Sequence, residues 1–459
     1  MPIAPPPRPG KNSSRNITTP EQRHPATLAG QLPIERDNAR NQEFETAIPP
    51  LPLRQSRIEE QPRDVDAMSA TANAAGGSSP SNVASYKIID STLREADQWA
   101  TNPLSRDTKV AIAKALDSFA VDYIEITNPS SSEQALEDSK AIAALGLKAK
   151  IHAHVRNLDD AKKAVEAGVG SVGLVVGASS FSSDVSHEKS IEKIQESAVE
   201  VISYLKSQNA ETQFSFEDTF RSDLVDLLSL YQAVKEAGAD RVGINDIIGG
   251  TTPRLVDDNV RTLRGVINGD IECRFHDETG CAVGNAVTAL EAGATHIDTT
   301  VLGIGERNGL VPLGAFSARM LVAAPEYTKG KYNLKELKAL ETVVSGAVNI
   351  NVPYNNPVTG FSAFTHKAGI HAKAILNNPS TYEVFDPAEY GISRNVAINS
   401  RVTGWNAVRS RVDQLGLVMT DDEVKAVTAK IKQTADTRPL TIEDTDNILH
   451  AFHAELKKA

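Results

Sequence analysis

The sequence predicts a (β/α)8 barrel, an α/β fold, with a helical C-terminal region and a disordered N-terminal tail. Three observations carry this. Eight short β-rich runs fall between residues 86 and 302. Segments of helical apolar periodicity lie between them, several followed by a glycine where a helix C-cap favours one. The eight units together occupy about 240 residues, the usual span of such a barrel.

The runs are Tyr86–Ser91, Tyr123–Thr127, Ala149–Val155, Ser171–Gly177, Thr212–Glu217, Arg241–Ile247, Ile271–His276 and His296–Leu302. The clearest helical segments are Lys109–Phe119, Leu158–Ala167, Ser222–Ala237 and Ala282–Ala292, and Gly146, Gly168, Gly238 and Gly293 mark helix ends. A doubly wound sheet would carry a glycine fingerprint after its first strand, and Asp90-Ser-Thr-Leu-Arg-Glu95 has none. Residues 1–84 hold 13 of the 23 prolines and balance nine basic against nine acidic side chains, which reads as a disordered tail. The barrel is expected over 85–324. Residues 325–459, with helical patterns at Leu334–Ala347, Asp421–Thr434 and Glu443–Leu456, are expected to form a helical lid and dimerisation region.

A formal net charge of −11 argues against nucleic-acid binding. No apolar run approaches the roughly 20 residues of a membrane span. Two cysteines, Cys273 and Cys281, do not make a disulfide framework and point to a reducing intracellular compartment. Prolines and acidic residues from Glu21 onward argue against a mitochondrial presequence, so the cytoplasm is expected ahead of a mitochondrion or nucleus.

In a (β/α)8 barrel, polar groups at the C-terminal strand ends build the active site. The supply here is dense: Asp90 to Glu95, Glu125, His152, His154, Arg156, Gln213, Glu217, Asp218, Asn245, Asp246, Arg274, His276 and Asp277. A lone strand histidine is more often a satisfied core group than a ligand. Asp218 and Asp277 also suit helix capping. The convergence of so many ionisable residues on one barrel end favours a site. Within "CRFHDETG" (Cys273–Gly280), Arg274 and His276 share a strand face, a spacing at which His-x-His holds a divalent metal. An arginine offers no lone pair for that purpose.

The segments "IIDSTLRE", "YIEITNP", "FSFEDTFRSDLVDLLSLY", "HDETGCAVGNAVTALEAGATHIDTTVLGIGERNGLVPLGA" and "FTHKAGIHAKAILNNPSTYEVFDP" resemble the homocitrate synthase family, and less closely the isopropylmalate synthases. The resemblance runs from about Tyr86 almost to the C-terminus. It implies an acyltransferase that joins acetyl-CoA to a 2-oxo acid, 2-oxoglutarate or a relative, aided by a divalent metal (zinc, magnesium or manganese). It implies a homodimer sharing its lid, or a mixed dimer with an active homologue. Carried over by motif, Arg94 would stabilise the developing oxyanion, Glu217 and His371 would form the acid/base pair, and Tyr382 would stand beside them. Gln98, His154, Gln213, Ser215 and Arg274 would contact substrate. Glu95 and His276, with Asn308 close by, would remain as a weakened metal site.

The chain departs from the family pattern within this pocket. Arg274 stands for a histidine, Gln213 for an arginine that binds the distal carboxylate, Ile247 for a threonine, Gly173 for an aspartate and Ala96-Asp97 for Gly-Glu. Three readings follow: a synthase with altered metal dependence or substrate, a catalytically impaired paralogue serving as regulatory or hetero-oligomer partner, and a lyase of the same superfamily. Arg274 is expected to lie among acids, with Glu95 or Glu272 as partner.

Overall fold

The computed structural model describes residues 81–99, 103–176 and 191–458. The expected tail lies almost wholly outside these residues. Eight parallel strands close in sequence order into a barrel: β1 (Lys87–Asp90), β2 (Tyr123–Ile126), β3 (Lys150–Val155), β4 (Ser171–Val176), β5 (Glu211–Phe216), β6 (Arg241–Asp246), β7 (Asp270–Phe275) and β8 (His296–Thr299). Each lies within the run predicted for it or within one residue of it. Closure is made by β1 on β8, where Lys87, Ile88, Ile89 and Asp90 lie opposite His296, Ile297, Asp298 and Thr299.

Helices lie between the strands, among them the four that the periodicity placed, at Arg106–Phe119, Leu158–Glu166, Leu224–Glu236 and Ala282–Ala292. The helices are α1 (Thr92–Trp99), α2 (Arg106–Phe119), α3 (Glu133–Ala143), α4 (Leu158–Glu166), α5 (Ile191–Ser207), α6 (Leu224–Glu236), α7 (Pro253–Val266), α8 (Ala282–Ala292) and α9 (Leu313–Ala323). Local chemistry sets their ends. The side chains of Ser105, Ser132, Asn157, Asp223 and Thr252 accept backbone N–H groups in the first turns of α2, α3, α4, α6 and α7. Gly293 ends α8 at φ 113°, a conformation that a side chain would strain.

The barrel wall divides by alternation. One set of strand residues, including Ile124, Ile126, Val155, Val172, Leu174, Phe214, Val242, Ile244, Ile271 and Phe275, joins the buried apolar cluster under the helices. Each such side chain contributes roughly 1.5–3 kcal/mol by leaving water. The alternate positions face the barrel interior and are polar: Glu125, His152, Gln213, Arg241, Glu272, Arg274, His296 and Asp298 are all buried. A barrel interior usually fills with branched apolar side chains. Here two buried arginines hold it, one above the other. In the lower layer, Arg241 donates from Nε to Glu272 at 2.7 Å and from Nη1 to Glu211 at 2.8 Å, with its guanidinium 4.7 Å over the Tyr123 ring. In the upper layer Arg274 is the counterpart.

The barrel core continues beyond residue 324 through α10 (Pro325–Lys331) and α11 (Leu337–Ala347), which bury Leu337, Leu340 and Val344. A second apolar core, with Ala372, Val408, Val412, Val424, Val427, Ile431 and Leu449, is built by α12 (Gly369–Asn377), α13 (Trp405–Gln414), α14 (Asp421–Thr437) and α15 (Ile442–Leu456), and Ile398 joins it from the segment before α13. Capping boxes at Thr420 and Thr441 start α14 and α15.

Glu341 on α11 is 1% exposed and accepts from Asn356 Nδ2 at 3.0 Å and from Thr359 Oγ1. Burial pushes its pKa up to about 7. A raised folded-state pKa means that the native state holds the proton more tightly than the unfolded chain. The associated stability is complete below the unfolded carboxylate pKa and is lost as pH rises through about 7. Glu341→Gln is therefore expected to gain stability relative to the parent between pH 5 and pH 8, by on the order of 2 kcal/mol. Thermal melts of both proteins across that range test this, and parallel pH profiles would refute it.

Candidate active site

A cleft of about 350 Å³ opens at the C-terminal end of the barrel. Arg94, Glu95 and Gln98 reach it from α1, His154 from β3, and Glu217 and Asn245 from the ends of β5 and β6. Arg274 and His276 line it from β7, and Ile247, Arg156, Glu306 and Arg307 from the loops. The sequence brings these groups together because every βα loop of a parallel barrel emerges on one side.

The floor of the cleft is a charge network centred on Glu125, which is fully buried on β2. Its Oε1 lies 2.8 Å from Arg94 Nε and 2.7 Å from His154 Nδ1, and its Oε2 accepts from Arg274 Nη2 at 2.5 Å. Burial alone would raise the Glu125 pKa, but Arg94 and His154 hold it well below the usual carboxylate range. Burial would likewise lower the His154 pKa, and Glu125 overrides that, so the imidazole is raised. Asp298 on β8 goes the other way: burial first, and repulsion from Glu125 second, drive it well above the ordinary carboxyl value. Asp298 Oδ2 pairs with Arg274 Nε, and Ser91 Oγ bridges Glu125 and Asp298.

Arg274 does lie among acids, with Glu95, one of the two expected partners, at the edge of ion-pair range and Glu272 not among them. Glu125 and Asp298 carry it, with Glu95 Oε1 3.9 Å from Nη1. Glu272, two residues earlier on the same face, sits one layer lower and is taken by Arg241. A step of two residues along a strand is about 6.6 Å, which separates the layers.

Glu95 accepts from Arg94 Nη2 and from the Glu306 backbone N–H at 3.1 Å. The loop after β8 packs closely against it at Gly305, where a Cβ would lie 3.1 Å from Glu95 Oε2, a tight contact. His276 is 8% exposed and its Nδ1 has no hydrogen-bond partner among the described residues. Burial lowers its pKa, so the ring is neutral. Asn308 does not line the cleft, and its Nδ2 donates to the Asp277 carbonyl at 2.6 Å. The Glu217 carboxylate faces the cleft with no hydrogen-bond or ion-pair partner among the described residues.

Gln213 and Ser215 lie beneath the cleft, 0% and 1% exposed, with Gln213 Nε2 donating to Ser215 Oγ. Gln213 explains the glycine at 173. A Cβ on Gly173 would strike Gln213 Oε1 and approach His154 Cδ2 to 2.6 Å, so the two departures from the family pattern fit each other. Asp97 turns away from the cleft to Lys109 at 2.8 Å and Thr127 at 2.6 Å. Asp277 accepts the backbone N–H of Ala282 at the start of α8, the capping role open to it. His371 and Tyr382 stay outside the cleft: their exposed rings lie 4.7 Å apart and tilted by 52°, His371 on α12 and Tyr382 after it.

Residues 85–344 match a family model described as HMGL-like, and 358–439 match the homocitrate synthase post-HMGL domain. The chain is 56% identical over 377 residues to the mitochondrial homocitrate synthase of Saccharomyces cerevisiae, covering 82% of this chain and 86% of that protein. It is 57% identical to that of Penicillium rubens, covering 82% and 80%, and 37% identical to the homocitrate synthase of Sulfurisphaera tokodaii, covering 76% and 77%. The chain belongs to the homocitrate synthase family. Among solved structures, the HMG-CoA lyase of Bacillus subtilis shares the fold at TM-score 0.52 and 20% identity, covering 60% of this chain and 97% of that one.

The family implies a divalent metal, and the donor set argues against one here. The Glu95 oxygens are engaged by Arg94 and Glu306, and the guanidinium of Arg274 has no lone pair to give. Two guanidiniums beside the cleft floor would repel a dication. Among the described residues no three His, Cys, Asp or Glu groups are arranged to hold an ion. The residues present do not fit the metal.

Proposed function

We propose that the chain is an acyltransferase that condenses acetyl-CoA with a 2-oxo acid, 2-oxoglutarate or a relative, and releases free CoA. The observation that carries the reading is 56% identity to a homocitrate synthase over 82% of the chain, with Arg94, His154 and Glu217 gathered at one barrel mouth. The similarity to the lyases is one of fold and covers 60% of the chain. The post-HMGL region matched at 358–439 favours the synthase.

The reaction needs three things from the protein. A base takes a proton from the acetyl methyl, and the unpartnered Glu217 and the lid histidine His371 are our candidates. The new carbon–carbon bond forms at the keto carbon, and the keto oxygen gathers charge that Arg94 is suited to stabilise before it is protonated. Water then cleaves the thioester to a carboxylate and the CoA thiol. Gln98 and His154 are assigned to substrate.

We assign the lid to a second copy of the chain. Its Tyr354, Phe361, Ile370 and Val384 are exposed large apolar residues, with Ile370, next to His371 in the chain, at 80% exposure. Relatives in Saccharomyces cerevisiae are described as mitochondrial and cytosolic. We assign this chain to one of these intracellular compartments.

Thiol release from acetyl-CoA is expected only when a 2-oxo acid is supplied, measured over a panel that includes 2-oxoglutarate and pyruvate. Absence of release with every acid, or cleavage of a hydroxy-acyl-CoA instead, would overturn the assignment.

A further inference from the structure

Arg274 is 8% exposed, yet one of its nitrogens is not used. Nε faces Asp298, and Nη2 serves Glu125 and lies 3.3 Å from Ser91 Oγ. Nη1 has no hydrogen-bond acceptor among the described residues, and Glu95 Oε1 lies 3.9 Å from it. Arg94 repeats the arrangement from the other side: Nε faces Glu125, Nη2 binds Glu95, and Nη1 has no partner among the described residues. Both side chains line the cleft. Glu125 grips both guanidiniums, one on each oxygen, and so fixes them side by side.

We propose that Arg274 is the resident cation of this cleft and that Arg94 and Arg274 together cradle the carboxylate of the 2-oxo acid, without a divalent ion. The chemistry favours it. A guanidinium presents paired N–H donors that match a carboxylate, and an anchored one loses little freedom on binding. Because Glu125 holds both side chains, the remaining Nη1 groups are fixed in place as donors for an incoming carboxylate. The proposal rests on the assignment of a 2-oxo acid as substrate, and its tests read binding.

The full-length protein, stripped with EDTA, is titrated calorimetrically with 2-oxoglutarate and with pyruvate, and separately with zinc, magnesium and manganese. Binding of at least one 2-oxo acid in EDTA and no stoichiometric metal binding are expected. Arg274→Gln should weaken 2-oxo acid binding at least tenfold. Arg274→Lys keeps the charge for Glu125 and guards against a folding defect; it should bind more weakly than the parent and more tightly than Arg274→Gln. Arg274→His should gain metal binding, because an imidazole would join Glu95 and His276. Stoichiometric metal on the unmodified protein would overturn the proposal. So would 2-oxo acid binding indifferent to residue 274, or Arg274→His that takes up no metal. Thiol release that needs added metal would sink the cradle and leave the acyltransferase standing. Carboxylate binding lost in Arg274→Gln, with no thiol release from any acid, would do the reverse.

Discussion

Glu125→Gln is expected to destabilise the barrel by about 3–5 kcal/mol, the cost of removing one partner from a buried charge network. For a domain of this size that is a fall in thermal midpoint of roughly 10 °C. Glu125 touches Arg94, His154 and Arg274, so the variant leaves one buried and two half-buried cationic or proton-loving groups without their common acceptor. The effect has a defined pH signature. The Glu125 carboxylate titrates below its unfolded value, so the stability it provides is present above the unfolded pKa of about 4.3 and fades as pH falls. Parent and variant should converge in acid. His154 gives a second readout: without Glu125 its raised pKa should fall, which proton NMR of the imidazole follows. Lys162→Gln, which breaks an exposed pair with Asp159, is the control and should shift stability by less than about 1 kcal/mol. A Glu125→Gln midpoint within a degree or two of the parent would show that the network does not hold the barrel together.

The wall of the barrel was readable in the sequence because its outward strand residues and helices follow simple periods. Ile124 and Ile126 flank Glu125, and Ile297 precedes Asp298 on a strand packed on both faces. Acids at such positions signal a polar interior, and that signal was available for both residues. What the sequence does not carry is depth. Arg274 and Glu272 share a face by the two-residue rule, yet the stagger of the strands puts Asp298 and Glu125 at the height of Arg274 and leaves Glu272 with Arg241. Layer assignment depends on the register of all eight strands, which is a tertiary quantity. Gln213 was expected at the substrate for the same reason and instead lies below the floor of the cleft. The C-terminal helices were legible as helical periodicity and as motif. How α12 meets the barrel was not, because nothing local fixes it.

His371→Ala is expected to lower kcat by about 10²–10⁴-fold with little change in stability, the usual loss for a general acid or base. The side chain is exposed, whereas its neighbour Ala372 is buried in the second apolar core, so the substitution leaves the packing of α12 intact. Arg94→Gln should be similarly inactive for a different reason, loss of charge stabilisation in the cleft. The two residues are separated in one chain: Arg94 lines the cleft, and His371 does not. If each site is completed by the lid of a second subunit, the two variants complement. A mixed dimer then carries one site with both residues intact and one with neither. Random re-association of equal amounts gives half mixed dimers with one working site in two, hence about a quarter of the parental activity. Each variant alone should remain near background, and light scattering should report a dimer throughout. Recovery would assign His371 to the neighbouring cleft. A mixture no more active than its components, with exchange of subunits verified, would refute a shared site and require the lid to close over its own barrel.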